Sequence, residues 1–210
     1  MQLYTFFNSS AAYRVRIALA LKGLAAQHIA VNLRSGAQRS ADFLALSPAG
    51  LVPTLVDGDV RLTESLAIID YLDCQHPTPL LVPSDGPARG QVLEIAQLIA
   101  CDIHPLNNLR VLKYLKTDMG LSEAQKNTWY AHWVAEGFHA LEALLPAQGD
   151  WCVGNAPTLA DCCLIPQVAN AERVQMDVSA WPRIARIAHS ARQHPAFVQA
   201  APKNQADYVG

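Results

Sequence analysis

Two adjacent hydroxyls, Ser9 and Ser10, stand between a short apolar run and a helical pattern. A strand-to-helix junction leaves main-chain N–H groups unpaired at the positive end of the helix dipole, so the pair either holds an anion or simply caps the helix. Glu64-Ser65 repeats the arrangement at a later helix start. There a hydroxyl and free N–H groups suit a carboxylate while Glu64 suits an ammonium, and a plain N-cap is the alternative. In the segment His104-Pro105-Leu106-Asn107-Asn108-Leu109-Arg110, the first His and the two Asn fall at i, i+3 and i+4, one face of a helix that Pro105 would kink. Arg110 is about 120° away by helical geometry, within reach of the same side for so long a side chain. Such donors and cations suit an acidic substrate, or else a polar face toward solvent or a subunit partner.

Other reactive residue types carry less. Thr158-Leu159-Ala160-Asp161 places a carboxylate three residues after a hydroxyl, the spacing of a capping box, so Asp161 is assigned to structure. The five cysteines are odd in number, and Cys162 and Cys163 are neighbours, which suits neither a disulfide framework nor a CxxC metal site. Cys74, Cys101, Cys162 and Cys163 lie in apolar helical patterns and read as buried, reduced thiols. No metal is expected. With 16 Lys and Arg against 18 Asp and Glu, the formal charge of -2 gives no basic field for a nucleic acid. No apolar run approaches the roughly 20 residues that span a bilayer, and the first residues lack a secretory pattern, so a cytoplasmic protein with no membrane partner is expected.

These residues need elements to hold them. Leu3 to Phe7 reads as a strand, Ala11 to Lys22 as a helix buried on more than one face and stopped by Gly23, and His28 to Asn32 as a second strand. A short helix over Ala41 to Leu46 follows, then strands at Thr54 to Val56 and Val60 to Leu62 about an Asp57-Gly58 turn, then a helix from Glu64 or Ser65 to His76. The order is βαβαββα. The proline-rich stretch from Pro77 to Pro87 reads as a linker. Beyond it all strong patterns are helical: Ala88 to Lys116, interrupted by Pro105, then Ser122 to Leu145, Leu159 to Glu172 and Pro182 to Gln193. Two domains are expected, an α/β one over 1–80 and an all-α one over 88–210.

Over nearly its whole length the chain resembles the zeta-class glutathione transferases. The strings that carry the resemblance are NSSAAYRVRIALALKGL, SPAGLVPTLVDG, ESLAIIDYL, HPTPLLVP, IHPLNNLRVLKYL and TLADCCLIPQVANAERVQMDV, in that order, with Trp181-Pro182 downstream. The resemblance implies a thioredoxin-like N-terminal domain that binds glutathione, a helical C-terminal domain that shapes the second substrate pocket, and a homodimer. It implies that Ser9 and Ser10 attend the glutathione thiolate, that Val52, before a cis-proline, pairs with its cysteinyl backbone, and that Glu64 and Ser65 hold its γ-glutamyl end. His104 and Asn108 are implied in cofactor contacts, and Asn8, Arg110 and Arg173 on the substrate side.

The implied activity is glutathione-dependent cis-trans isomerisation of maleylacetoacetate or maleylpyruvate, by reversible addition of the thiolate to the alkene, in aromatic catabolism. Broader transfer or dehalogenation of small α-halo acids is an alternative, as is a non-catalytic binding protein on the same fold. Three departures bear on this. Asn8 stands where relatives commonly have arginine, Ala11 where they often have cysteine, and Ala49-Gly50 where longer polar residues are usual. The first removes one carboxylate clamp, and the second argues against dehalogenases that resolve a glutathione adduct with cysteine.

Overall fold

The computed structural model describes residues 1–209, which group into two compact units. One comprises Met1–Val82 and the chain from Arg192 onward, the other Pro83–Ala191. The first holds β1 (Gln2–Thr5), α1 (Ser10–Leu21), β2 (Gln27–Ala30), α2 (Ala41–Leu46), β3 (Thr54–Asp57), β4 (Val60–Leu62) and α3 (Ser65–Gln75). Its sheet runs β2-β1-β3-β4, with β1 and β2 parallel and the other pairs antiparallel. The α1 crossover makes the parallel pair possible, because parallel neighbours need a connection long enough to return the chain. This is the thioredoxin-like arrangement. The hairpin turn is centred on Gly58 and Asp59, one residue later than expected, since Asp57 still pairs with Val60.

Helix α1 is buried along most of its length, with Val15, Ile17 and Ala18 fully covered, and it packs against α3 through Ile68, Ile69 and Leu72. A second cluster of Phe6, Phe7, Val31, Phe43 and Val52 fixes the turn after β1 to the segment before β3. Burying each such side chain contributes about 1.5–3 kcal/mol, so the cluster ties the two loops together. The linker is fastened too. Lys22 Nζ lies 2.6 Å from Asp73 Oδ1 and donates to the carbonyls of His76 and Pro79, and Asp73 accepts from the amides of Leu81 and Val82.

The second unit contains α4 (Gly86–Gln97), α5 (Leu109–Thr117), α6 (Glu123–Leu144), α7 (Leu159–Arg173) and most of α8 (Pro182–Gln193). Between α4 and α5 the chain is not one kinked helix. A π-helical turn covers Leu98–Ile103, a 3-10 turn covers His104–Asn107, and Asn108 is extended at ψ 145. Pro105 has no N–H to give to the carbonyl four residues back, and its ring clashes there, so α-helical spacing fails over this stretch. Ile103 fills the space beside Gly137 of α6, where a Cβ would stand 2.2 Å from its Cδ1. Helix α7 is buried on nearly all sides and begins with the expected box: Asp161 accepts from the Thr158 amide and hydroxyl and from the Cys152 amide.

The helical unit ends at Ala191, short of the expected 88–210. Helix α9 (Pro195–Ala200), which no periodic pattern in the sequence marks, packs on α1, and Tyr13 donates to the Phe197 carbonyl. Farther on, the Phe7 amide donates to Asp207 Oδ2 at 2.9 Å, and the Tyr208 ring meets Phe7 edge-on at 5.3 Å. These are the bonds that return the tail to the first unit.

Candidate active site

The turn after β1 delivers the first candidate group. Ser9 is the N-cap of α1, extended at φ -78 and ψ 115, half-buried, with its amide donating to the Phe6 carbonyl. Its Oγ accepts the Ala12 amide at 3.2 Å. A hydroxyl that accepts from a helix end keeps its own hydrogen to donate elsewhere. No acidic residue lies in the first turn of α1 itself, so none of its own side chains offsets the positive end of the dipole. Ser10 is the first helical residue and is buried at 9% exposure; Asn8, just before the pair, is half-buried. The structure thus separates two hydroxyls that the sequence left equivalent.

Arg16 secures this turn from beneath. It donates through Nε to the Ala200 carbonyl, through Nη1 to Thr5 Oγ1 and the Phe6 carbonyl, and through Nη2 to the Phe7 carbonyl. Burial pulls its pKa down to about 10, still far above neutrality. Its bonds make it a structural clamp on the turn.

Val52, buried in the aromatic cluster, precedes Pro53 through a cis bond. Among the described residues its amide and carbonyl form no hydrogen bond to the main chain. At the start of α3, Glu64 is an extended, exposed N-cap whose side chain bonds nothing in the helix. Ser65 is buried at 4% exposure, and its Oγ accepts from Arg14 Nη1 at 3.2 Å. That helix start is a set of N–H groups without a side-chain cap. Arg14, on the same helix as Arg16, bonds differently, and the signal for it in the sequence is a charged residue in a helix buried all round.

In the second unit His104 and Asn108 are joined, Asn108 Nδ2 lying 3.1 Å from His104 Nε2. Asn108 Oδ1 accepts the Arg110 amide, which fixes the orientation of the side-chain amide. Nε2 is therefore the acceptor, and the ring hydrogen sits on Nδ1. The contact does not come from a shared helical face: Asn108 is the N-cap of α5, Asn107 is buried at 5% exposure, and Arg110 is exposed in the first turn of α5. Arg173 ends α7, where its charge suits the negative end of the dipole, and its Nη2 donates to Asn170 Oδ1 at 2.8 Å. Tyr130 donates to the Asn170 carbonyl, and burial raises its phenol despite the opposing pull of Arg173. Asn170 and Tyr130 were missed because only the fold brings α6 and α7 together.

Among the described residues no group of three or more His, Cys, Asp or Glu could hold a metal ion. The cysteine expectation needs correction. Cys74 and Cys101 are exposed, while Cys152, Cys162 and Cys163 are buried; apolar neighbours in sequence do not determine which side of a helix a thiol faces. Burial pushes the Cys152 thiol well up, away from reactivity.

Residues 3–80 match the model of the glutathione S-transferase N-terminal domain. A probable maleylacetoacetate isomerase of Vibrio cholerae is 50% identical over 208 residues, covering 98% of this chain and 97% of the relative. The chain belongs to the zeta class of glutathione transferases. A holo maleylpyruvate isomerase, described as a bacterial zeta-class enzyme, superimposes with a TM-score of 0.96 at 43% identity over the whole of both chains. A maleylacetoacetate isomerase of Methylobacterium extorquens AM1 with bound malonate and glutathione reaches a TM-score of 0.95 at 36% identity, again over both whole chains. In this zeta-class chain Ala11, half-buried in the first turn of α1, brings no thiol beside the serine pair.

Proposed function

We propose that this zeta-class chain is a glutathione-dependent cis-trans isomerase of maleylacetoacetate or maleylpyruvate. The observation that carries the reading is Ser9, a half-buried hydroxyl whose oxygen is occupied by a helix amide and whose hydrogen is left to an anion at the start of α1. Glutathione fits the first unit at three further points. Val52 has a main-chain edge without partners for an extended peptide, Ser65 and the uncapped start of α3 suit a carboxylate, and exposed Glu64 suits an ammonium. When bound, glutathione supplies a thiolate that adds to an activated cis alkene, leaves the bond free to rotate, and departs unchanged.

The chain's own residues set the charge balance. A thiol ionises near 8.5, and each unit of lowering requires about 1.36 kcal/mol. A helix end gives only about 0.3–1 kcal/mol, whereas a hydrogen bond to a charged group gives about 1.5–3 kcal/mol, so the Ser9 hydroxyl contributes the larger share. Ser10 opens the same helix end. In the second unit His104, Asn108, Arg110 and Arg173 offer donors and cations, which would hold the substrate carboxylates and the charge building on its carbonyl oxygen. Asn8 adds a neutral donor on the substrate side.

Ultraviolet titration of the bound thiolate tests the Ser9 role. The wild-type complex should ionise below the free thiol, and Ser9→Ala should raise the midpoint by about one unit or more; an unmoved midpoint contradicts it. We further propose a cytoplasmic homodimer. The first part is supported by five cysteines that form no disulfide, which suits a reducing compartment, and the second by the family resemblance.

A further inference from the structure

Two arginines of α1, two residues apart, are buried for different reasons. Every guanidinium nitrogen of Arg16 is bonded to an oxygen of the protein. Arg14, at 3% exposure, donates from Nη1 to Ser65 Oγ, while its Nε and Nη2 are buried without a hydrogen-bond partner among the described residues. None of the described ion pairs includes it. A buried, uncompensated charge destabilises a fold, and tying Ser65 in place would need only a neutral donor. The charge therefore calls for an anion close by. The nearest feature built for one is the start of α3, eleven residues long, with extended Glu64 leaving its N–H groups uncapped.

We propose that Arg14 is a positioning residue that makes the α3 start selective for a carboxylate, acting through Ser65. By donating to Ser65 Oγ it occupies one lone pair of the hydroxyl, whose own hydrogen is then aimed elsewhere and polarised toward an acceptor. It also sets a full positive charge one hydrogen bond behind that hydroxyl. Arg14 itself is buried at 3% exposure, so its charge acts on the ligand from behind Ser65. The inference rests on the reading that the γ-glutamyl end of glutathione binds at Ser65, and it deepens that reading by naming what supplies the charge.

Calorimetry on the full chain tests it with two ligands: glutathione, and 4-aminobutanoyl-cysteinylglycine, which lacks only the γ-glutamyl α-carboxylate. Wild type should prefer glutathione by about tenfold or more, equivalent to about 1.4 kcal/mol. Arg14→Gln, which keeps a neutral donor, should reduce that preference to about threefold or less by weakening glutathione alone. Arg14→Lys, which keeps the charge, should retain most of it, and carries the test should the Gln variant fail to fold. A folded Gln variant with an undiminished preference, or a folded Lys variant that has lost it, overturns the role of Arg14 while leaving the cofactor reading intact. A wild type that binds neither ligand overturns the proposed function itself, and the Arg14 inference with it.

Discussion

A hydroxyl at a helix start can be spent on the helix or offered to a ligand, and its bonds decide which. Ser9 does both: its oxygen accepts from Ala12, and its hydrogen remains available. Thr158 is committed inward, its amide and hydroxyl both donating to Asp161. Both sites were legible, because a hydroxyl before an apolar helical run marks a helix start whatever follows. What the run cannot convey is the difference between Arg14 and Arg16, which have the same residue type, helix and burial. That difference lies in partners such as Ala200 and Ser65, far along the chain. At this scale the substrate-side cations make a prediction. Arg110→Ala and Arg173→Ala should each raise KM for the diacid about tenfold, the loss of one charged hydrogen bond, with glutathione affinity changed much less. Steady-state kinetics and calorimetry on the same variants check this, and equal loss of both affinities would reassign the residues.

Between α4 and α5 the sequence expectation and the structure diverge most. The pattern from Ala88 to Lys116 reads as helix with a proline in it, and the apolar spacing continues across the break. The missing amide of Pro105 is visible in the sequence, but the way the chain absorbs it, with a π turn before and a 3-10 turn after, depends on the packing of Ile103 against Gly137. His104 and Asn108 do meet, though through a cap instead of a common face. The glycine in α6 is thus the partner of the irregular turn. Gly137→Ala should lose about 1–3 kcal/mol by overpacking, more than the helix-propensity gain of about 1 kcal/mol for alanine because the added Cβ meets Ile103 so closely, read as a lower urea midpoint at unchanged slope. An unchanged or higher midpoint would mean that Ile103 moves aside freely and does not hold the turn.

For the molecule as a whole, the βαβαββα order and the helical remainder were legible because hydrophobic period and turn residues are local. The tail was not. Its return to the first unit through Phe197, Asp207 and Tyr208 joins residues almost the full chain length apart, and no local pattern encodes such a contact. Sedimentation equilibrium bears on the proposed homodimer: twice the 22.8 kDa of the chain supports it, and 22.8 kDa rejects it. The central claim concerns chemistry, and a spectroscopic assay of maleylacetoacetate and maleylpyruvate, each with and without glutathione, tests it most directly. The account predicts rapid conversion of at least one of them to its trans isomer, only in the presence of glutathione and with no glutathione consumed. Conversion of neither, or conversion at the same rate without the tripeptide, would contradict it.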